Sequence, residues 1–308
     1  MNAGVQRQKL RLQDFEPQAL EEIIRGAALE QHILSNVPCN VKHDRWEADL
    51  ISVDRGNYSF PVRVLGQFST NRIVFGHTRR LSEPSWVNGF EFGTTDFQFY
   101  PCGTEINYRA GCGAEFIAVS FPEDSLQSAA VETVGRELEL PRHVVNIRGP
   151  AKLRREFDRL ATRSMRPDVD AEALTRPLLR LIVGILTSQN PDMLSRSIRG
   201  QLKRDQIVKR IDRHLRSEVG RPFNLGALSK AVGLNARSVQ EYWKEALGVT
   251  PGYWARCLAL HRAHTLIREG ATVKDAALTC GFSHLGRFSG YYRDLFGELP
   301  SFSPRNHI

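Results

Sequence analysis

The apolar positions between residues 224 and 300 follow one short plan twice. Leu225, Leu228, Gly233, Leu234, Val239, Trp243, Leu247, Gly248 and Pro251 are matched by Val273, Ala276, Gly281, Phe282, Phe288, Tyr292, Phe296, Gly297 and Pro300. The front halves superpose at an offset of 48 residues and the back halves at 49, so the second copy carries one inserted residue. Leu225 and Leu228, like Val273 and Ala276, share a helical face, and Val239, Trp243 and Leu247, like Phe288, Tyr292 and Phe296, recur at i, i+4, i+8. Gly233 and Gly281 stand where the chain must turn sharply, which glycine does without steric cost. Each copy therefore predicts helix, Gly turn, helix, a plan whose second helix can enter a major groove. Stacked helical hairpins share this pattern, but two copies are too few for an array.

Elsewhere the periodicity changes. Residues 1–16 are polar and predict a frayed end, and Leu20, Ile23, Ile24, Ala27 and Ala28 predict an amphipathic helix from Pro17 to about Asn36. Short β-type runs follow at Ala48–Asp54, Tyr58–Leu65, Arg72–Gly76, Thr95–Tyr100, Glu105–Arg109 and Glu115–Phe121, separated by Gly and Pro turns. Such spacing predicts a sandwich or small barrel. Helical patterns return at Leu126–Leu138, Ala151–Met165 and Ala171–Asn190, then a linker around Asn190–Gly200 and a basic helix from about Arg204 to Glu218. The fold class is thus α+β, with residues 1–200 as one domain and 201–308 as a second, all-α domain holding two helix-turn-helix motifs.

The outward positions of the repeat are those of a nucleic-acid reader. Arg237, Gln240 and Lys244 decorate the second helix of the first copy, and His284, Arg287 and Arg293 that of the second. Such side chains reach base edges or phosphates, and Lys203, Arg204, Arg221 and Lys274 are placed for phosphates. A single helix from Pro251 to Glu269 would hold the two heads about 34 Å apart, one duplex turn. The run Ala277–Pro300, ALTCGFSHLGRFSGYYRDLFGELP, with GVTPGYW before it, resembles the signature of the AraC/XylS family of bacterial transcription regulators, and its HLGRF spacing resembles the XylS-like branch. Ser229, where Ala277 is the counterpart, and Ala259 depart from the family pattern. The resemblance implies a sequence-specific, ligand-responsive activator working on promoter DNA through RNA polymerase. It also implies an N-terminal jelly-roll (cupin-like) β-barrel as sensor, a small-molecule effector, and helices that pair two subunits into a homodimer.

Charge agrees with this division. Residues 201–308 hold 17 Lys and Arg against 9 Asp and Glu, whereas residues 1–200 hold 25 of each, so the whole net charge of +8 lies in the C-terminal part. No apolar run reaches the ~20 residues of a membrane span, and no secretory signal core is present, so the expected location is cytoplasmic, with no membrane partner.

The barrel strands carry Arg63, Arg72, His77, Tyr108 and Arg109 as candidate ligand contacts, from a pool that includes Trp46, Tyr58, Trp86 and Tyr100. For an acidic ligand, Arg63 or Arg109 is the first candidate, since Arg holds a carboxylate bidentately. An enzymatic barrel is the alternative, but His43 and His77 stand alone among the strands, no His-x-His occurs, and no catalytic residue or cofactor is expected. A second alternative is a cysteine-based redox or alkylation sensor. Cys102 and Cys112 flank an expected hairpin, Pro101–Gly113, and would pair if their Cα atoms came within about 7 Å, while Cys39 sits in Val37-Pro38-Cys39-Asn40.

Overall fold

The computed structural model describes residues 5–13, 15–35, 38–48, 50–188 and 191–302, apart from the side chains of 90 and 191–202. Twelve strands occur among them: β1 Gln6–Leu12, β2 Ala28–Ile33, β3 Val41–Ala48, β4 Ile51–Tyr58, β5 Val62–Gln67, β6 Ile73–Arg80, β7 Ser85–Val87, β8 Phe90–Phe92, β9 Asp96–Tyr100, β10 Glu105–Ala110, β11 Ala114–Phe121 and β12 Val145–Arg148. The helices are α1 Glu123–Val134, α2 Ala151–Ser164, α3 Ala171–Thr187, α4 Pro191–Ser217, α5 Leu225–Val232, α6 Ala236–Leu247, α7 Pro251–Arg268, α8 Val273–Thr279 and α9 Leu285–Phe296.

The strands form two antiparallel sheets packed face to face. One runs β1-β3-β4-β11-β6-β9-β12 and the other β2-β5-β10-β7-β8. Strand alternation sorts the side chains of the seven-stranded sheet. Val53, Phe75, Phe97, Val119 and Phe121 point outward and pack with Leu126, Phe157, Leu160, Leu178 and Ile182 of α1–α3. Tyr58, Val74, Tyr100, Ala114 and Ala118 point inward, toward the five-stranded sheet. The apolar stripes of α2 and α3 are thus spent on their own sandwich, each fully buried Leu or Phe contributing about 1.5–3 kcal/mol.

The N-terminal segment differs from the sequence expectation. In place of a helix from residue 17, there is a 3-10 turn at Pro17–Leu20 and then β2. Gly26, at φ +69°, breaks the path between them. Leu20, Ile23, Ile24 and Ala27 are buried all the same, so a tight turn meets the same spacing a helix would. Asn36 lies outside the described residues. Residues 6–12 are an edge strand paired to β3 although most of them are exposed. The expected strand Ala48–Asp54 is cut by the β3–β4 hairpin, where Ala48 pairs with Ile51. The expected linker at Asn190–Gly200 is helical from Pro191 onward as part of α4, with residue 190 outside the described residues.

Pro101–Gly113 is not a hairpin. It is turn, β10, turn, with β10 paired to β5 and β7. Cys102 and Cys112 therefore sit at opposite ends of a strand of six residues, roughly 20 Å at 3.3 Å per residue, far beyond disulfide reach.

The outer face of the five-stranded sheet is covered by the C-terminal helices. Lys209, Asp212 and Arg216 lie at i, i+3, i+7 on one face of α4. They pair with Glu105 of β10 at 2.8 Å, Arg63 of β5 at 2.7 Å and Glu30 of β2 at 2.9 Å, so α4 crosses three adjacent strands with one ion pair to each.

Candidate functional site

Each repeat copy is built from the same local parts. Asn224 caps α5 by accepting from Ala227 N, and Thr272, at the same offset of 48, caps α8 by accepting from Asp275 N. Gly233 and Gly281 take φ of +64° and +84° after the first helix of each copy. The extra residue falls in the turn that follows Gly281, because the N-caps of α6 and α9 are Asn235 and His284, an offset of 49. Val239, Trp243, Phe288 and Tyr292 are buried, which fixes the opposite faces of α6 and α9 toward solvent.

On α6, Arg237, Gln240 and Lys244 are exposed along one stripe, with Arg237 Nε 2.7 Å from Glu241 Oε1. On α9, His284, Arg287 and Arg293 are exposed, and Lys274 is exposed on α8. Gly286 and Gly290, which a pattern of polar side chains does not single out, lie between Arg287 and Arg293 on the helical wheel, and no atom comes within 4 Å of a Cβ added at either. Among the phosphate candidates, Lys203 is exposed, Arg204 pairs with Glu245 at 3.0 Å, and Arg221 pairs with Glu218 at 3.0 Å. The helix joining the two heads, α7, has 18 residues, a length of about 27 Å at 1.5 Å per residue.

A helix-turn-helix domain model matches residues 228–303. Over 32% of this chain and 94% of the other, the sequence is 35% identical to that of the solved structure of a probable AraC family transcriptional regulator from Rhodopseudomonas palustris (TM-score 0.30). The chain belongs to the AraC family. The XylDLEGF operon transcriptional activator of Pseudomonas putida is 27% identical over 124 residues, 38% of this chain and 39% of that protein. The transcriptional activator RhaR of Pectobacterium atrosepticum is 29% identical over 157 residues, 50% of this chain and 53% of that protein. This chain thus spans about two fifths to half the length of these curated relatives.

In this AraC-family chain the C-terminal helices rest on the sandwich through a buried polar hub. Arg63, 1% exposed, donates to Asn107 Oδ1 and to Asp212 Oδ1, and its guanidinium carbon lies 4.2 Å from the Trp254 ring centroid and 5.1 Å from that of Trp243. Trp254 Nε1 donates to the same Asp212 oxygen at 3.0 Å. Burial pushes the Asp212 carboxyl up, but Arg63 and Arg216 outweigh it and hold the group below its ordinary value. Arg109 lies 4.8 Å from the Trp86 ring and donates to the Pro84 carbonyl. Trp86 and Arg109 both approach Gly248, at the end of α6. Along α7, Tyr253 donates to the Leu34 carbonyl and His261 Nε2 to the Ile33 carbonyl.

A cavity lies between the sheets, lined by Ile23, Leu29, Tyr58, Val64, Phe68, Tyr100, Tyr108 and Phe116 among others. Of the five candidate ligand contacts, it brings together only Tyr108 and His77. The His77 ring faces the helices, 5.0 Å from Phe97 and with Nε2 3.7 Å from Asp158. Arg63 and Arg109 share strands with the lining residues Val64 and Tyr108 but have the opposite parity, so they face the C-terminal helices. Arg72 is bonded to the Ser120 carbonyl and hydroxyl and to the Leu50 carbonyl, away from the cavity. Of the wider pool, Tyr58 and Tyr100 line the cavity, whereas Trp46 packs under α1–α3.

Burial pushes the Cys102 and Cys112 thiols up, which disfavours the reactive thiolate. Among the described residues no group of three or more His, Cys, Asp or Glu side chains is placed to hold a metal ion, and no helix is long and apolar enough to cross a membrane.

Proposed function

We propose that this AraC-family chain is a promoter-binding transcriptional activator whose two reading heads are set by a small molecule held between its sheets. The observation that carries the reading is the shared wall. Strands β5 and β10 present Val64, Ile106 and Tyr108 to the cavity and, on their reverse face, Arg63, Glu105, Asn107 and Arg109 to the helices that support α6 and α7. A molecule that shifts this wall biases the placement of the heads, a change of population that needs no direct contact with DNA. The relatives named as activators support activation, with RNA polymerase as the partner in the cytoplasm. A homodimer would bring four heads to a repeated site and multiply weak contacts.

The heads divide their work. Arg237, Gln240, His284 and Arg287 read base edges, while Lys203, Arg204, Arg221, Lys274 and the outer Lys244 and Arg293 meet phosphates. The test is selection of binding sites from a random duplex pool by the intact chain, followed by salt titration. Paired contacts one duplex turn apart are expected. Arg287→Ala should relax preference at one base step at a cost of about 1–3 kcal/mol, and Lys274→Ala should weaken all sequences alike and lower the salt slope by about one. Identical behaviour of the two variants would refute the division of roles, and salt-sensitive binding without selected sites would refute the function.

A further inference from the structure

We infer that the cavity between the sheets takes an uncharged, mainly apolar small molecule carrying one hydroxyl or carbonyl, and excludes carboxylates and amines. This rests on the effector reading above and names the chemical class of that effector.

None of the side chains turned into the cavity is an acid or a base of ordinary strength. Aliphatic and aromatic groups dominate, with Thr78, Gln98 and three tyrosines as the polar exceptions. His77 is counted in the wall through β6, but its ring is turned into the helical layer, where Nδ1 meets the Asp96 carbonyl at 3.1 Å. The arginines nearest in sequence are committed elsewhere, Arg63 to Asp212 and Arg109 to the Pro84 carbonyl. A carboxylate or ammonium would therefore lose its hydration with no opposite charge to receive it, a cost of several kcal/mol.

The tyrosines do not supply that charge. Burial pushes Tyr108 up to about 12 and raises Tyr58 and Tyr100, so all three are neutral phenols at physiological pH. The Tyr58 hydroxyl donates to Gln31 Oε1 at 3.0 Å, and that of Tyr108 is bonded to Thr78. The Tyr100 hydroxyl has no hydrogen-bond partner among the described residues. Nearby, a Cβ built on Gly76 would stand 3.5 Å from both Gln98 Oε1 and the Tyr100 ring edge. One buried donor, Tyr100, and one acceptor, Gln98 Oε1, whose amide nitrogen is bonded to the Asp96 carbonyl, thus flank a glycine floor. That pair suits one hydroxyl or carbonyl on an otherwise apolar body. The centre of a water-sized sphere has about 80 Å³ in which to move, so the molecule is compact.

Gly76 supplies the control. It is a strand residue without a positive φ, so valine is compatible with its backbone and would fill the space below Gln98 and Tyr100. The experiment is calorimetric titration of the intact chain and of Gly76→Val with probes matched in size but not in charge. These are 1-hexanol against hexanoate and hexylamine, and cyclohexanone against cyclohexanecarboxylate. Neutral members are expected to bind saturably, the charged members at least about tenfold more weakly, and Gly76→Val to bind none while still folding and binding duplex DNA. Equal or tighter binding of the ions, neutral binding that survives Gly76→Val, or no binding by any neutral probe overturns the inference. DNA affinity measured in the same samples separates the two readings. Site-selective DNA binding with failed ligand selectivity removes only the class assigned here, whereas loss of selective DNA binding in the unmodified chain removes the regulator itself.

Discussion

At single residues, the repeated glycines make a graded test of how tightly each turn is built. Gly233 and Gly281 both adopt the left-handed region, so alanine at either costs about 1–2 kcal/mol in backbone strain. Their surroundings differ. A Cβ on Gly233 would meet only the Arg210 guanidinium at 3.8 Å, whereas one on Gly281 would come 2.7 Å from the backbone oxygen of Gly220. Gly281→Ala must therefore also displace the chain that leads from α4 toward α5, and it should lower stability well beyond Gly233→Ala. Equilibrium denaturation of the two variants checks this, and equal losses would mean that the Gly220 segment yields freely. These glycines were legible in the sequence because a positive φ after an amphipathic helix leaves few alternatives to Gly. The arginines were less so. Arg63 and Arg109 have the right chemistry for a ligand contact, but which face of a strand a residue occupies depends on register, and a shift of one position reverses it.

At the scale of elements, the histidines where α7 packs on β2 and on α9 predict a response to pH. Burial lowers His32, His261 and His264, the last to about 4. The His261 ring lies 4.7 Å from that of His32, and His264 stacks on Phe296 at 4.6 Å beside the Tyr292 hydroxyl. Unfolded, each imidazole takes up a proton near pH 6.5, whereas folded it resists until lower pH. The stability these neutral rings contribute is therefore complete above about pH 6.5 and is lost as pH falls toward the folded values, on the order of 2 kcal/mol for His264 by pH 5. Glu30, held at about 2 chiefly by its hydrogen bond with His32 and further by Arg216, remains ionised throughout that window. Thermal unfolding should show a lower Tm at pH 5 than at pH 7.5, and His264→Gln should flatten the difference. An unchanged slope in that variant would assign the effect to other groups. Sequence spacing identified α7 as a helix but read β2 as one too. Leu20, Ile23, Ile24 and Ala27 satisfy helical periodicity, and only the pairing of β2 with β5 decides the matter. The C-terminal elements were legible because their contacts are local and duplicated, whereas β1, β2 and β12 are held by partners distant in sequence.

For the whole molecule, the question is whether the sandwich and the C-terminal helices unfold as one body. The core that lines the cavity continues without a break into the one around Trp243 and Trp254. The polar hub of Arg63 and Asp212 sits where the two halves meet. Neither partner is satisfied alone: Arg63 is buried between two indole rings, and Asp212 accepts from Arg63, Trp254 and Arg216 together. Removing Asp212 strands Arg63, which costs about 3–5 kcal/mol at buried pairs, whereas removing Arg63 leaves Asp212 with Arg216 but takes the guanidinium from between the two indoles. Arg63→Ala should accordingly weaken the joint more than either half. Tryptophan fluorescence, dominated at the joint by Trp243 and Trp254, and far-ultraviolet circular dichroism should give one coincident denaturation curve for the unmodified chain and two separated curves for Arg63→Ala. Asp212→Asn keeps an acceptor for Trp254 but leaves Arg63 buried with no counter-charge, so it should separate the curves at least as far. The double variant Arg63→Met with Asp212→Asn leaves no stranded charge and should recover part of the loss. If the Arg63→Ala curves stay coincident and only shift together, the hub is one contact among many, and the two halves are joined chiefly through the apolar contacts of the shared wall.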